Sequence, residues 1–345
     1  MNFGVAHGRR GRRGLRRILA VMLVPFVILL SMRQLCVPTG ALDRVAEVTE
    51  AMREGFYTFA ESIDVSEYGI TSNELTQLFA TVIKDDPYLF YVDTRLSYSY
   101  RRDGCVISLK PLYTMSPSEV EAAWLYCRDR VREIANLACG DEVERALWLH
   151  DYICQGFSYD DSLQNHSMYE MLRTGKGTCQ AYTHLYIALL REVGIESHFV
   201  ASDSLAHIWN LVRIGGLWYH TDLTWDDSAS QETVSRRHFL LSDAAAIERG
   251  HGDWYSPIEV VCLSELYRDV DFDAMLSAEA LSGDVDHNGQ VDLADLLALR
   301  IWLKDASGKL ALTAGFCVGC ADLDQNGVAA DTDVILLRRK LLQGN

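Results

Sequence analysis

The chain has 345 residues, 49% of them apolar, and a formal net charge of −16. That length allows about two or three domains with a substantial core. Residues 1–41 contain seven Arg and no Lys, Asp or Glu, so the remainder carries a charge of −23 (−16 minus +7). So acidic a body excludes nucleic acid and anionic membrane surfaces as general partners.

The N-terminal segment combines a basic stretch, Arg9–Arg17, with the apolar run Ile18–Leu30. Thirteen residues are too few to cross a bilayer but are typical of the core of a signal peptide. Small residues in Thr39–Ala41 suit cleavage. We therefore predict a signal peptide over residues 1–41, secretion of the chain, and no stable membrane span after cleavage. A retained N-terminal anchor is the alternative.

Residues 42–139 are predicted to form an extension of helices and one hairpin that packs beside the core. The apolar spacing predicts helices over 42–63 and 71–84, a hairpin from 96–100 and 105–109, and a helix from Ser116 to Ala138. Residues 140–270 mix the two periodicities. Helices are expected over Asp141–Gln155 and after Thr178, and strands over 197–202, 207–214 and 217–222. The fold class is therefore α+β.

Three residues of this core suggest chemistry: Cys179, His207 and Asp222. Cys179 follows a glycine-containing turn and opens a helix, whose N-terminus favours a thiolate. His207 and Asp222 lie on adjacent strands joined through Gly215 and Gly216.

A two-residue turn at these glycines would pair Ile214 with Leu217 and, if pairing continues, His207 with Thr224. Asp222 would then be a diagonal neighbour of His207 on the same face, about 7 Å away. An Asp in that position can orient an imidazole that exchanges a proton with a thiol.

Several motifs surround these residues in the order Cys, His, Asp. They are Gly177-Thr-Cys-Gln-Ala-Tyr, Gly194-Ile-Glu, His207-Ile-Trp-Asn and Trp218-Tyr-His-Thr-Asp-Leu-Thr-Trp-Asp-Asp. Residues 140–228 thereby resemble the transglutaminase-like core of the papain-type cysteine superfamily. The resemblance implies a Cys-bearing helix packed on an antiparallel sheet, with Cys179 as nucleophile, His207 as general acid and base, and Asp222 as its orienting group.

By that resemblance we expect a peptidase or amidase acting on a protein or peptide, with a protein-glutamine transglutaminase or deamidase as the alternative. Each residue also has a structural interpretation: Cys179 as a small buried hydrophobe, His207 as a satisfied core histidine, Asp222 as a turn cap. A non-catalytic binding module therefore remains open. We expect structural roles for His150, His184, His220, Trp209, Trp218 and Trp225.

Near the C-terminus a loop pattern occurs twice, with oxygen ligands at positions 1, 3, 5 and 12 around a Gly at position 6. Such a loop suits Ca²⁺, which takes six to eight oxygen ligands. The first set of ligands is Asp284, Asp286, Asn288, the Gln290 carbonyl and Asp295. The second set is Asp322, Asp324, Asn326, the Val328 carbonyl and Asp333. Ala329 and Ala330 predict weaker binding in the second loop.

Each loop runs into an apolar helix, at Leu296 and at Val334. The duplication resembles a type I dockerin over residues 283–345, joined by a linker at 271–282. The resemblance implies a small all-α module with two structural Ca²⁺. It also implies docking onto a cohesin module of a scaffoldin, outside the cell, in a cellulosome-type assembly.

Eight Cys follow residue 41. An even count in a secreted chain would ordinarily indicate disulfides. The need for a free Cys179 argues against relying on that rule. Cys317 and Cys320 could form a local disulfide or a buried pair, and zinc is not expected, because no second pair of soft ligands lies nearby.

Overall fold

The computed structural model describes residues 39–227, 234–272, 282–285, 290–304, 318–324 and 329–343. Residues 1–38 of the predicted signal peptide and residues 273–281 of the predicted linker therefore lie outside the described residues. The chain divides into two compact units, residues 1–51 and 52–345. Helix α1 (Thr39–Tyr57) begins in the first unit and ends in the second.

The segment after α1 contains a small antiparallel sheet and two helices. Its elements are β1 (Ile63–Asp64), α2 (Ser72–Asp85), β2 (Ser97–Tyr100), β3 (Val106–Lys110) and α3 (Pro117–Ala135), with strand order β1-β3-β2. The predicted hairpin is confirmed. The first helix, however, ends at Tyr57 and not at residue 63, because Phe59 has a left-handed φ of 56° and the Ala60 N–H bonds the Gly55 carbonyl. Ile63 then pairs with Leu109.

The next region surrounds a long buried helix. Its elements are α4 (Glu142–Gly156), β4 (Ser158–Tyr159), α5 (Met168–Thr174), β5 (Lys176–Gly177), α6 (Cys179–Glu192), β6 (Ser197–Ser202), β7 (His207–Ile214), β8 (Leu217–Thr221), α7 (Leu223–Asp226) and α8 (Asp243–Glu248). Strands β6, β7 and β8 form an antiparallel sheet with β7 in the middle, and α6 packs against β7. Helix α5 was not predicted, because seven residues are too few to show a helical period.

The β7–β8 turn has the predicted register. Gly215 and Gly216 have φ values of 58° and 79°, which glycine adopts readily, and Ile214 pairs with Leu217. Pairing ends at Asn210 and Thr221, so the predicted His207–Thr224 pair is wrong. The chain leaves the sheet at Asp222 to cap helix α7.

The C-terminal residues form a small helical core of their own. Its helices are α9 (Leu293–Lys304), α10 (Val318–Ala321) and α11 (Asp331–Gln343). Apolar side chains pack between them, namely Val285, Leu299, Ala321, Ala329, Val334 and Leu337. Within the described ranges, no helix has the length and apolarity needed to span a membrane.

Most described cysteines are free thiols: Cys105, Cys127, Cys154, Cys179 and Cys262. Cys139 is disulfide-bonded, so the need for a free Cys179 does not exclude disulfides elsewhere in the chain. This residue lies in the turn between α3 and α4, so its oxidation leaves the thiol of Cys179 free. Cys317 lies outside the described residues, and Cys320 is buried.

Candidate active site

Cys179 is the first residue of α6, and the preceding chain is held from both sides. Gly175 ends α5 with a left-handed φ of 74°, and β5 pairs in parallel with β4. The N–H of Thr178 donates to the Asn165 carbonyl at 2.9 Å. Gly177 packs so closely that an added Cβ would lie 2.7 Å from the Cβ of Ala181. The Cys179 side chain is therefore presented at a fixed helix N-terminus.

Cys179 and His207 line one open cleft of about 400 Å³. Other residues around it come from α2, β4, the segments before α5 and α6, the β6–β7 turn and β7, and include Lys84, Tyr159, His166, Thr178, Asp203 and Ile208. Lys84 belongs to the segment predicted to pack beside the core, and its Nζ donates to the Tyr255 hydroxyl at 2.7 Å. The Cys179 side chain therefore borders a cleft that is open to solvent.

The His207 ring packs against two indole rings. Its centroid lies 5.8 Å from Trp209 and 5.2 Å from Trp225, with interplanar angles of 20° and 10°. Its Nε2 lies 2.7 Å from Oδ2 of Asp222. Because Nε2 is engaged there, Nδ1 is the ring nitrogen left to face Cys179, which borders the same cleft.

These contacts decide the charge of His207. Burial alone would lower its pKa, but the hydrogen bond to Asp222 and the neighbouring Cys179 outweigh burial and raise the pKa to about 9. The ring is therefore largely an imidazolium at pH 7. The positive charge of this ring lies at the cleft that Cys179 also lines.

Both carboxylate oxygens of Asp222 accept hydrogen bonds. Oδ1 accepts the N–H groups of Thr224 and Trp225 at 3.0 and 3.1 Å, which caps α7. Oδ2 accepts from His207 and from a second imidazole, His251, at 2.8 Å. Burial tends to raise the pKa of Asp222, but the bonds from His207 and His251 overcome it and hold the pKa well below its usual range. Asp222 thus caps a turn, as its structural interpretation proposed, and also contacts His207.

His251 was not identified from the sequence. It follows α8 in an irregular segment, 29 residues after Asp222, and is buried against Trp225 at a centroid distance of 4.1 Å. Its flanking residues, Gly250 and Gly252, mark a turn but carry no chemical signal.

The other core histidines have structural surroundings. His150 contacts Asp151 and Asp226 at 2.9 and 3.4 Å and is fully buried. Burial lowers the pKa of His184 to about 4, so its ring is neutral at pH 7. His220 accepts the Trp209 indole N–H on Nδ1, at 3.0 Å. These contacts agree with the structural roles that we expected.

Of the predicted calcium ligands, Asp286, Asn288, Asn326 and Val328 lie outside the described residues, and Asp284, Gln290, Asp295, Asp322, Asp324 and Asp333 lie within them. Asp295 and Asp333, at position 12 of their loops, are fully buried. Asp295 Oδ1 accepts the Val285 N–H at 2.6 Å, and Asp333 Oδ1 accepts the Leu323 N–H at 2.8 Å.

In each repeat the backbone N–H at loop position 2 therefore bonds the carboxylate at position 12. In the second repeat, carboxylate oxygens of Asp322, Asp324 and Asp333 lie within 4.8 Å of one another. That spacing fits one ion with Ca–O distances of about 2.3–2.6 Å, and an all-oxygen donor set suits a hard cation.

Comparisons with known proteins address the core. Residues 128–223 match the family model of the Transglutaminase-like superfamily. A search of curated proteins finds no match. Among solved structures, a TGase is 12% identical with a TM-score of 0.28, over 48% of this chain and 51% of the other. The match thus spans about half of that TGase.

Two further structures are similar. A proposed cysteine protease from Cytophaga hutchinsonii is 15% identical with a TM-score of 0.26, over 48% of this chain and 73% of the other. A proposed protease from Parabacteroides distasonis is 17% identical with a TM-score of 0.21, over 40% and 34%. The family match identifies residues 128–223 of this mixed helix-and-sheet chain as a transglutaminase-like domain.

Proposed function

We propose that the chain is a cysteine enzyme of acyl transfer that acts on peptide or carboxamide bonds. Cys179 is the nucleophile, His207 the general acid and base, and Asp222 the residue that orients His207. One observation carries the proposal: His207 contacts Asp222 through Nε2 and lines a single cleft with Cys179. Membership of residues 128–223 in a superfamily of generally cysteine-based enzymes supports it.

The first half-reaction follows from the charges. The Cys179 thiolate attacks the substrate carbonyl carbon, and the C=O electron pair moves to oxygen. When the tetrahedral intermediate collapses, the C–N bond breaks, a thioester remains on Sγ, and the leaving nitrogen takes the Nδ1 proton of His207. Asp222 keeps Nε2 protonated, so that Nδ1 is the nitrogen that gives up and regains the proton.

The oxyanion needs donors that are already in place. The N–H of Cys179 lies in the first turn of α6 and has no carbonyl partner within its own helix. We assign it as one donor. The Tyr159 hydroxyl, which lines the same cleft, is our candidate for the second.

In the second half-reaction, neutral His207 takes a proton from water or an amine, which attacks the thioester carbonyl and releases the thiolate. Water yields an acid, as in a peptidase or amidase, which we favour. An amine yields a new amide, as in a transglutaminase, and water on a Gln acyl-enzyme yields deamidation. A non-catalytic binding module is the alternative in another class.

The test is mass spectrometry of a protein and peptide mixture incubated with the full chain and a primary amine. Cys179→Ala is the matched control, since it removes only the thiol. New termini absent from the control indicate a peptidase, amine adducts on Gln a transglutaminase, and mass gains of about one dalton a deamidase. Identical spectra from both chains, with no thioester-linked species on Cys179, would favour the binding module.

We also propose that residues 283–345 form a calcium-dependent docking module for a cohesin of a scaffoldin, on a secreted, cellulosome-associated chain. The repeated loop pattern and the burial of Asp295 and Asp333 support this. Bound Ca²⁺ would neutralise the clustered carboxylates and so order the loops.

Calorimetry with CaCl₂ tests the ion. We expect Asp295→Asn to weaken binding at the first loop and Asp333→Asn at the second. Asp331→Asn, an exposed neighbour, should leave both unchanged. Equal titrations from all four chains would refute the calcium sites, and retention by an immobilised cohesin in CaCl₂ but not in a chelator tests the partner.

A further inference from the structure

We infer that His251 is a positioning residue that shares the Asp222 carboxylate with His207 and so sets the basicity of the Cys179–His207 pair. The inference rests on the proposed function. It assigns a fourth residue to the site, from a loop that contributes nothing to the cleft lining.

Two distances carry the argument. The Nε2 atoms of His207 and His251 lie 2.7 and 2.8 Å from the same oxygen, Oδ2 of Asp222. Both are hydrogen-bond lengths to an ionised acceptor, so each Nε2 carries a proton. Oδ1 is occupied by the two backbone N–H groups of α7, and rotating the carboxylate would break that cap.

The surroundings of His251 fix its tautomer. Its Nδ1 is buried and has no hydrogen-bond partner within the described part of the chain. A proton on Nδ1 would be an unsatisfied buried donor, whereas a bare lone pair there costs less. The tautomer with its proton on Nε2 therefore fits the site. Trp225 and Trp209 pack at centroid distances of 4.1 and 4.6 Å and hold it in place.

His207 and His251 therefore share one hydrogen-bond acceptor. With His251 present, the charge on Oδ2 stabilises two N–H donors. Without His251, the same charge would stabilise the His207 N–H alone. His207 would then hold its proton more strongly and release it less readily to a leaving group. The titratable groups facing His251 are Asp222, His207, His238 and His220, and Cys179 faces His207 from α6.

The experiment follows the His207 titration by NMR in the full chain with ¹³C-labelled histidine rings. His207→Gln identifies the His207 signal. In His251→Phe, which keeps an aromatic ring in the same place but has no donor, we expect the His207 midpoint to rise by roughly half to one pH unit. His251→Gln restores an N–H donor and should bring the midpoint back towards the wild-type value.

An unchanged His207 midpoint in a folded His251→Phe chain would overturn the inference and leave His251 a packing residue. Ring ¹⁵N shifts of His251 in the unmodified chain give a test that needs no variant, because an Nδ1–H tautomer would also overturn it. So would a His207 titration that changes with EDTA, since a ring nitrogen of His207, a ring nitrogen of His251 and a carboxylate oxygen of Asp222 lie within 4.8 Å of one another.

Failure of the proposed function has a different signature. Alkylation of Cys179 by iodoacetamide is measured against pH in the wild-type and His207→Gln chains. Superimposable profiles would mean that Cys179 is not coupled to His207, whatever His251 does. A coupled profile in the wild type that His251→Phe leaves unmoved would refute the inference alone.

Discussion

The raised pKa of His207 predicts that the stability of the fold depends on pH. This pKa rises from 6.5 to about 9 on folding, and the side chain is 8% exposed, so solvent screens the charge of the ring little. At 1.36 kcal/mol for each pKa unit, the protonated ring contributes about 3 kcal/mol to folding. Because the pKa is raised, this contribution is complete below about pH 6.5 and disappears as the pH rises through about 9.

The assay is urea unfolding, followed by tryptophan fluorescence, of wild type and His207→Gln between pH 6 and pH 10. Comparing two chains cancels other titrating groups. We expect the difference in unfolding free energy, wild type minus variant, to fall by about 3 kcal/mol across this range. Parallel pH profiles would refute the charged His207, because a ring that stays neutral contributes no pH dependence in this window.

Asp222→Asn provides a second arm. It removes the ionised acceptor, the main cause of the raised pKa, and leaves burial, which lowers the pKa of His207. We therefore expect the alkaline loss of stability seen in the wild type to disappear in this variant. A wild-type pH profile in Asp222→Asn would show that another group holds the charge.

Two further predictions concern packing around the site. Gly177→Ala would place a Cβ 2.7 Å from that of Ala181 and should lower stability by about 1–3 kcal/mol in a thermal melt, whereas Gly156→Ala meets nothing within 4 Å and should not. Arg236→Met removes a 2.6 Å partner of the buried Asp151 and should cost about 3 kcal/mol in urea unfolding. Adding Asp151→Asn should recover part of that loss, and an additive double variant would count against a coupled pair.

The parts of the site that the sequence predicts are those governed by local rules. Glycines at 215 and 216 fix a two-residue turn, which determines the register of β7 and β8. Gly175 and Thr178 mark the start of the helix that carries Cys179. The proximity of His207 and Asp222 follows from that register, even though strand pairing ends earlier than expected.

The parts that it does not predict depend on distant or irregular backbone. His251 reaches Asp222 only because the chain after α8 folds back over the end of β8, where the Asp222 N–H bonds the His238 carbonyl. No periodic pattern in the sequence predicts this contact between His251 and Asp222. The end of α1 could not be predicted either. A left-handed backbone conformation, as at Phe59, is rare for a bulky residue, and no sequence pattern indicates it.

The geometry also explains why position 222 carries an aspartate. Four N–H donors converge on this side chain, two on each oxygen, from the backbone of α7, His207 and His251. An ionised carboxylate accepts at both oxygens, whereas an asparagine would place its own NH₂ against one pair of donors. Oriented with its oxygen toward the imidazoles, Asn would lose the helix cap; oriented toward the cap, it would repel both rings. The cap of helix α7 and the orientation of His207 therefore both depend on the same ionised carboxylate, which the fold holds in place without a substrate.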